Sequence, residues 1–362
     1  MISPTKLLAL LVHRGDVTPD MARDAMVSGN PVSFLVEKGV CSEAQWQGWL
    51  RTEAGTRPNL TRYELGELIG EGGVGRVFAA KDKTDGTEVA LKVLKPELAT
   101  DEVQTERFVQ EARLLMSLEH DHLVKGLRIA KEGDTIFFAM ERLPGRCLQD
   151  VIADDDFDNG GRIDEEIALQ VVVDVAGALL ALHEKGLVHR DVKPGNVIWS
   201  EERGSVLIDL GFALQGDADA SDTTAGTVHY IAPEQARGDG KLDVRADIYA
   251  LGATLYHLTT GSLPFEGTSE EVLAKQVLES LSGERIRDLD LSPQLHYFLE
   301  KMMAKDPEMR FQGPAQLQQD VQAFLEQRKH QKAAEERERG RPKLGDRRNR
   351  ALQDRQSRRR RR

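Results

Sequence analysis

The 362-residue chain holds only two cysteines, Cys41 and Cys147. Two thiols exclude a disulfide framework and a cysteine-based zinc site, and they suit a reducing compartment. Uncharged apolar runs are equally scarce, and none approaches the ~18–20 residues a membrane helix needs. The longest candidates, 167–182 and 248–258, contain Asp174 or lie beside Arg245 and Asp247, so they read as core helices. The run 7–12 follows Lys6 but covers six residues and has no small-residue cleavage site after it, which rejects an export signal. Nor do the nine histidines fall at metal-ligand spacing. The expectation is a cytoplasmic protein without a transmembrane segment.

What is present describes a globular protein: 40% hydrophobic and 30% charged residues. The net charge of −11 hides an asymmetry. From Arg328 onward sixteen Lys and Arg stand against five Asp and Glu, so the tail carries +11 and the remainder −22. That tail has few apolar residues and ends in five arginines, 358–362. It cannot bury enough surface to offset its ordering entropy, so 328–362 is expected to be disordered. Its charge allows two readings: it folds back on the acidic body, or it attaches to a polyanion such as nucleic acid or an anionic membrane.

Residues 1–50 carry an internal repeat, with 10–18 aligning to 34–42 at a period of 24. Each copy reads as helix, glycine stop and short turn, then a Thr18 or Ser42 cap opening another helix. Pro19 suits a first helical position, Ser42 to Gln45 has capping-box spacing, and Trp46 and Trp49 are candidates to pack inside the module. A packing appendage and a docking module are equally open. Residues 51–61, polar with Gly55 and Pro58, read as a linker. Short strand-like runs then give way to long helical patterns after Thr100, an α+β arrangement over 62–327.

Gly70, Gly72, Gly73 and Gly75 form a glycine turn between strand-like runs, with Ile69 before it and Val77 after it. Glycines let backbone N–H groups approach phosphate oxygens, although such a turn alone is only a turn. Lys92 ends the alternating strand Val89, Ala90, Leu91, seventeen residues after Gly75. A lysine in an apolar strand is costly unless anions meet it. Glu111, nineteen residues on, sits in a helical pattern with Phe108, Ala112, Leu115 and Met116 and can supply one. A loop then gathers His189, Arg190, Asp191, Lys193 and Asn196 between apolar runs. Asp191 can accept a hydroxyl proton, Lys193 can neutralise a phosphoryl group, and Asn196 offers an oxygen to a hard cation. Asp209 follows eighteen residues beyond Asp191 at a strand end, so Asn196 and Asp209 make oxygen ligands suited to Mg²⁺.

In the order and spacing of these motifs, and of Ala232-Pro233-Glu234, residues 63–327 resemble the eukaryotic-like (Hanks-type) protein kinases, bacterial type. The resemblance implies a bilobal fold, a small β-rich N-lobe and a larger helical C-lobe. It also implies ATP and Mg²⁺ as cofactors and protein Ser/Thr hydroxyls as acceptors. The glycine turn, Ile69, Val77, Ala90, Glu141 and Leu143 would bind the nucleotide, with Met140 gating the pocket's rear. Lys92, held by Glu111, would meet the α/β phosphates, and Asp191 would act as base beside Lys193. Asp247 would brace the catalytic loop, and Arg310 would pair with Glu234. Leu210 replaces a common Phe and Val74 a common aromatic, and neither change removes a chemical group. Lys193 and Gly226-Thr227 before Tyr230 fit the serine/threonine class.

A pseudokinase scaffold is the alternative, but Lys92, Asp191, Asn196 and Asp209 are all present. Arg190-Asp191 and Ala-Pro-Glu argue against an aminoglycoside-phosphotransferase type. Arg190 beside Asp191 leads to the expectation of trans-autophosphorylation at Ser221, Thr223 or Thr224, with Thr227 left to contact the catalytic loop. Asp154, Asp156, Asp158 and Glu165 fall at calcium-loop positions, but Asn159 stands where that loop needs glycine, so a solvated acidic loop is expected.

Overall fold

The computed structural model describes residues 5, 7–8, 11–12, 17–43, 46, 58, 60–154, 162–210, 227–239, 242–281 and 291–339. It divides into two compact units, Met1–Pro144 with Asp209–Leu214, and Gly145–Ile208 with Gln215–Arg362.

In the first unit the N-terminal module opens helices where capping chemistry allows. Helix α1 (Pro19–Val27) begins after Thr18, whose side chain accepts the Met21 N–H, and α2 (Pro31–Glu37) after Asn30, which accepts from Ser33. Leu7, Leu8, Leu11, Val17, Ala25, Leu35, Cys41 and Trp46 form one buried cluster. Trp49 lies outside the described residues.

Strands β1 (Tyr63–Glu71), β2 (Gly75–Asp82), β3 (Glu88–Leu94), β4 (Gly126–Glu132) and β5 (Thr135–Glu141) form an antiparallel sheet of order β1-β2-β3-β5-β4. Alternation sorts its residues by face. Tyr63, Phe78, Ala80, Val89, Leu91, Val93, Phe137 and Ala139 pack together with Leu60. Leu60 is therefore core, held also by Lys83 Nζ on its carbonyl, so the linker expected over 51–61 stops short of it. Helix α3 (Glu102–Ser117) is capped by Asp101, whose carboxylate accepts from Val103 and Gln104. It buries Phe108, Glu111, Ala112 and Leu115, one stripe at helical spacing.

The second unit begins with β6 (Arg146–Cys147) and α4 (Leu148–Ile152). Helix α5 (Glu165–His183) is its centre, with twelve buried residues including Asp174. Among the described residues it is the one helix long and apolar enough to cross a membrane, and its burial explains that composition. Strands β7 (Val197–Ser200) and β8 (Gly204–Leu207) pair beside β6. Then come α6 (Pro233–Arg237), α7 (Val244–Thr260), α8 (Ser269–Leu278), α9 (Pro293–Met302) and α10 (Pro314–Arg339), the last packed along α5.

Helix α10 corrects the boundary drawn at residue 328. It continues to Arg339, and Arg328 and Lys332 pair with Glu165 and Glu166 at the start of α5. Lys, Ala, Glu, Gln and Arg are good helix formers, and extending a nucleated helix costs far less than starting one. Residues 340–362 lie outside the described residues.

Arg310 joins three parts of this unit. Its buried guanidinium grips Glu234 of α6 with two bonds, at 2.6 and 2.8 Å. It also donates to the carbonyls of Ala304, Arg245 and Lys305. Arg310→Met would leave Glu234 unpaired and is expected to cost about 3–5 kcal/mol in urea unfolding. Adding Glu234→Gln should restore part of that loss, whereas a single variant as stable as wild type would contradict this role.

Candidate active site

The residues singled out in the sequence form two groups, one in each unit. In the first unit the sheet face opposite the apolar cluster carries Val77, Ala90, Lys92 and Met140, because Val77 pairs with Lys92 and Ala90 with Met140. Glu141 ends β5, and Leu143 lies half-buried two residues on. Ile69 on β1 is 46% exposed.

The glycine turn joins β1 to β2, closed by the Gly72 N–H on the Gly75 carbonyl. A Cβ on Gly75 would lie 2.7 Å from the Val93 carbonyl oxygen, so packing alone requires that glycine. Gly70, Gly72 and Gly73 differ, since an added Cβ would meet nothing closer than 3.6 Å and none has a positive φ. The local fold does not demand glycine there.

Lys92 Nζ donates to Glu111 Oε1 at 2.7 Å and lies 3.3 Å from both Asp209 oxygens. Burial disfavours the ammonium, but Asp209 and Glu111 outweigh it and raise the Lys92 pKa above the ordinary value. Burial, aided by Asp209, pushes Glu111 upward as well, against the pull of Lys92. Leu210 follows Asp209 and is fully buried.

In the second unit the loop before β7 is organised by Asp247 of α7. One Asp247 oxygen accepts the His189 N–H at 2.8 Å and the other the Arg190 N–H at 2.7 Å. Burial raises the Asp247 pKa, opposed by His189 and these two N–H groups. The held turn puts Arg190 at φ +67°, the single positive φ among described non-glycine residues. Nothing in the sequence marks that angle, which the Asp247 grip requires.

Asp191 follows directly, with its N–H on His189 Nδ1. Its Oδ2 accepts from Lys193 Nζ at 2.8 Å and Asn196 Nδ2 at 2.9 Å. Its Oδ1 is buried and has no hydrogen-bond partner among the described residues. A buried carboxylate oxygen is rarely left in that state. The Asn196 amide nitrogen also donates to the Asp191 carbonyl, at 2.8 Å. Sequence reasoning missed two of these contacts, Asp209 on Lys92 and Asn196 on Asp191, because both depend on folding rather than spacing.

The calcium alternative is disfavoured, since Asp154 pairs with Arg146 and Glu165 is held by Ser292 and Arg328. Among the described residues no group of three or more His, Cys, Asp or Glu could hold a metal ion. Ser221, Thr223 and Thr224, like Asp156, Asp158 and Asn159, lie outside the described residues.

Residues 63–322 match the protein kinase domain family. A probable serine/threonine-protein kinase of Corynebacterium efficiens is 38% identical over 275 residues, covering 72% of this chain and 41% of that protein. The serine/threonine-protein kinase PknB of Mycolicibacterium smegmatis is 36% identical over 270 residues, covering 72% and 42%. A probable serine/threonine-protein kinase of Clostridium perfringens is 33% identical, covering 72% and 38%. The chain thus spans about two fifths of the length of these relatives.

Lys92→Met removes the cation paired with Glu111. Burial and Asp209 then raise the Glu111 pKa further, so the folded state holds a proton that the unfolded chain has released. Stability is retained below the ordinary value of 4.5 and lost as pH rises through the folded value. Between about pH 5.5 and about pH 8 the variant should lose at least ~1.4 kcal/mol more than wild type in urea unfolding. Glu111→Gln in the same chain should abolish that difference. Identical pH profiles for Lys92→Met and wild type would contradict this account.

Proposed function

Because the chain belongs to the protein kinase family, we propose that it transfers the γ-phosphoryl group of ATP to serine and threonine hydroxyls of proteins, with Mg²⁺ bound. The observation that carries the proposal is the Asp191 carboxylate, oriented through one oxygen and, among the described residues, unpartnered at the other. An acceptor hydroxyl donates to Oδ1 and passes its proton there as its oxygen bonds to phosphorus and the bond to the ADP oxygen breaks. Lys193 compensates the transferring negative charge. Lys92, kept protonated by its carboxylates, attracts the α/β phosphates, and the open glycines 70, 72 and 73 let backbone N–H groups reach phosphate oxygens.

Asn196 and Asp209 are the donors that would hold Mg²⁺. The fit rests on the chemistry of their oxygens: an amide oxygen with no partner among the described residues and a carboxylate 37% exposed on its side chain. When bound, the ion neutralises phosphate oxygens. ATP and Mg²⁺ are cytoplasmic supplies, and free Cys41 and Cys147 suit that compartment.

Two partner assignments extend the reading. Arg190, beside Asp191, supports autophosphorylation at Ser221, Thr223 or Thr224. In the tail, pairing of Arg328 and Lys332 with Glu165 and Glu166 favours contact with the chain's own acidic body. For 340–362 a polyanion is the proposed partner, bound without sequence preference and released by salt.

Incubation with γ-labelled ATP, Mg²⁺ and myelin basic protein should yield labelled phosphoserine and phosphothreonine, and chelation of Mg²⁺ should abolish the label. Asp209→Asn should raise the Mg²⁺ concentration required. Label on tyrosine alone, or no label on protein, would contradict the proposal.

A further inference from the structure

Gln276 of α8 is completely buried, although a glutamine in a core is costly unless each polar atom is matched. Here both ends are. Its Nε2 donates to the carbonyls of Val228 and His229, at 3.3 and 2.8 Å. Its Oε1 accepts the Tyr249 hydroxyl at 2.6 Å. Lys305 Nζ donates to that hydroxyl's oxygen at 3.0 Å and to the Gln276 carbonyl at 2.8 Å. The lysine therefore sets the direction of the hydroxyl proton, the hydroxyl sets the orientation of the amide, and the amide grips two successive carbonyls.

The segment so held, 228–230, has two further anchors. A His229 ring nitrogen meets the Phe265 carbonyl at 3.1 Å, and the Tyr230 hydroxyl meets His257 Nδ1 at 2.7 Å. On its other side the chain enters α6, where Gln235 Nε2 donates to the carbonyl of Arg190, the residue before Asp191. The segment is thus held by α8 on one side and, five residues on through Gln235, connected to the loop bearing the proposed base. An isosteric apolar side chain at 276 would pack equally well, so the glutamine serves to fix main-chain position rather than to fill space.

Resting on the kinase reading, we propose that Gln276, oriented by Tyr249 and Lys305, is a positioning residue for the protein substrate. By fixing the Val228 and His229 carbonyls it sets the ledge along which the polypeptide around the acceptor hydroxyl lies. Gln276 touches neither nucleotide nor acceptor; it acts through 228–230.

The test uses the full chain, with myelin basic protein as acceptor. Gln276→Leu should raise KM for the protein about tenfold or more and leave KM for ATP within twofold. Tyr249→Phe keeps the ring and removes only the orienting hydroxyl, so it should give a smaller rise of the same kind. It also keeps the proposal testable if Gln276→Leu fails to fold. A merely structural role would lower kcat with the folded fraction and leave both KM values unmoved, which overturns the proposal, as would equal rises in both. Absence of transfer by the wild-type chain would overturn the kinase reading itself and this inference with it.

Discussion

A lysine ammonium buried against an apolar sheet is tolerable only where carboxylates meet it, and Lys92 has two, Glu111 and Asp209. The placement of α3 and of one face of the sheet follows from that requirement. Glu111 must face the sheet, so α3 must present the stripe Phe108, Glu111, Ala112 and Leu115 inward. Lys92 must point away from the apolar cluster, which puts Val77, Ala90 and Met140 on its face through strand register. A change that removes the cation therefore disturbs protonation as well as any binding of phosphate.

The second unit applies the same constraint to the backbone. Asp247 is a buried carboxylate matched by two main-chain N–H groups, and the turn this imposes holds Arg190 in a left-handed conformation. That strain is of order 1–3 kcal/mol and persists because the surroundings over-determine it. It leads directly into Asp191, whose two oxygens have different fates: one held by Lys193 and Asn196, the other free of partners among the described residues. Arg310 and Gln276 extend the pattern to the helices, each a buried polar side chain with its partners named by the fold.

Much of this was legible in the residues because chemistry at fixed spacing survives without coordinates. Lys92 after an alternating strand, Glu111 on a helical stripe and the loop from His189 to Asn196 each carry a cost or a role that their neighbours reveal. The cap at Thr18 was likewise a local signal. What escaped depends on long-range contact. Composition made 328–339 look disordered, yet Glu165 and Glu166, far back in the chain, pair with it as helix. Leu60 looked like linker because its core partners, Phe78 and Phe137, arrive later. Gln276 has no motif at all, and only burial distinguishes it from a surface glutamine.

The central claim is that Asp191 acts in the transfer step and not in holding the nucleotide. Calorimetric binding of Mg²⁺-ATP and steady-state transfer, measured side by side on Asp191→Asn and wild type, test it most directly. The account predicts affinity within about twofold and transfer slower by about 10²–10⁴, the range expected for loss of a general base. Undiminished transfer in the variant would contradict it, and so would a loss of rate that weaker ATP binding fully explains.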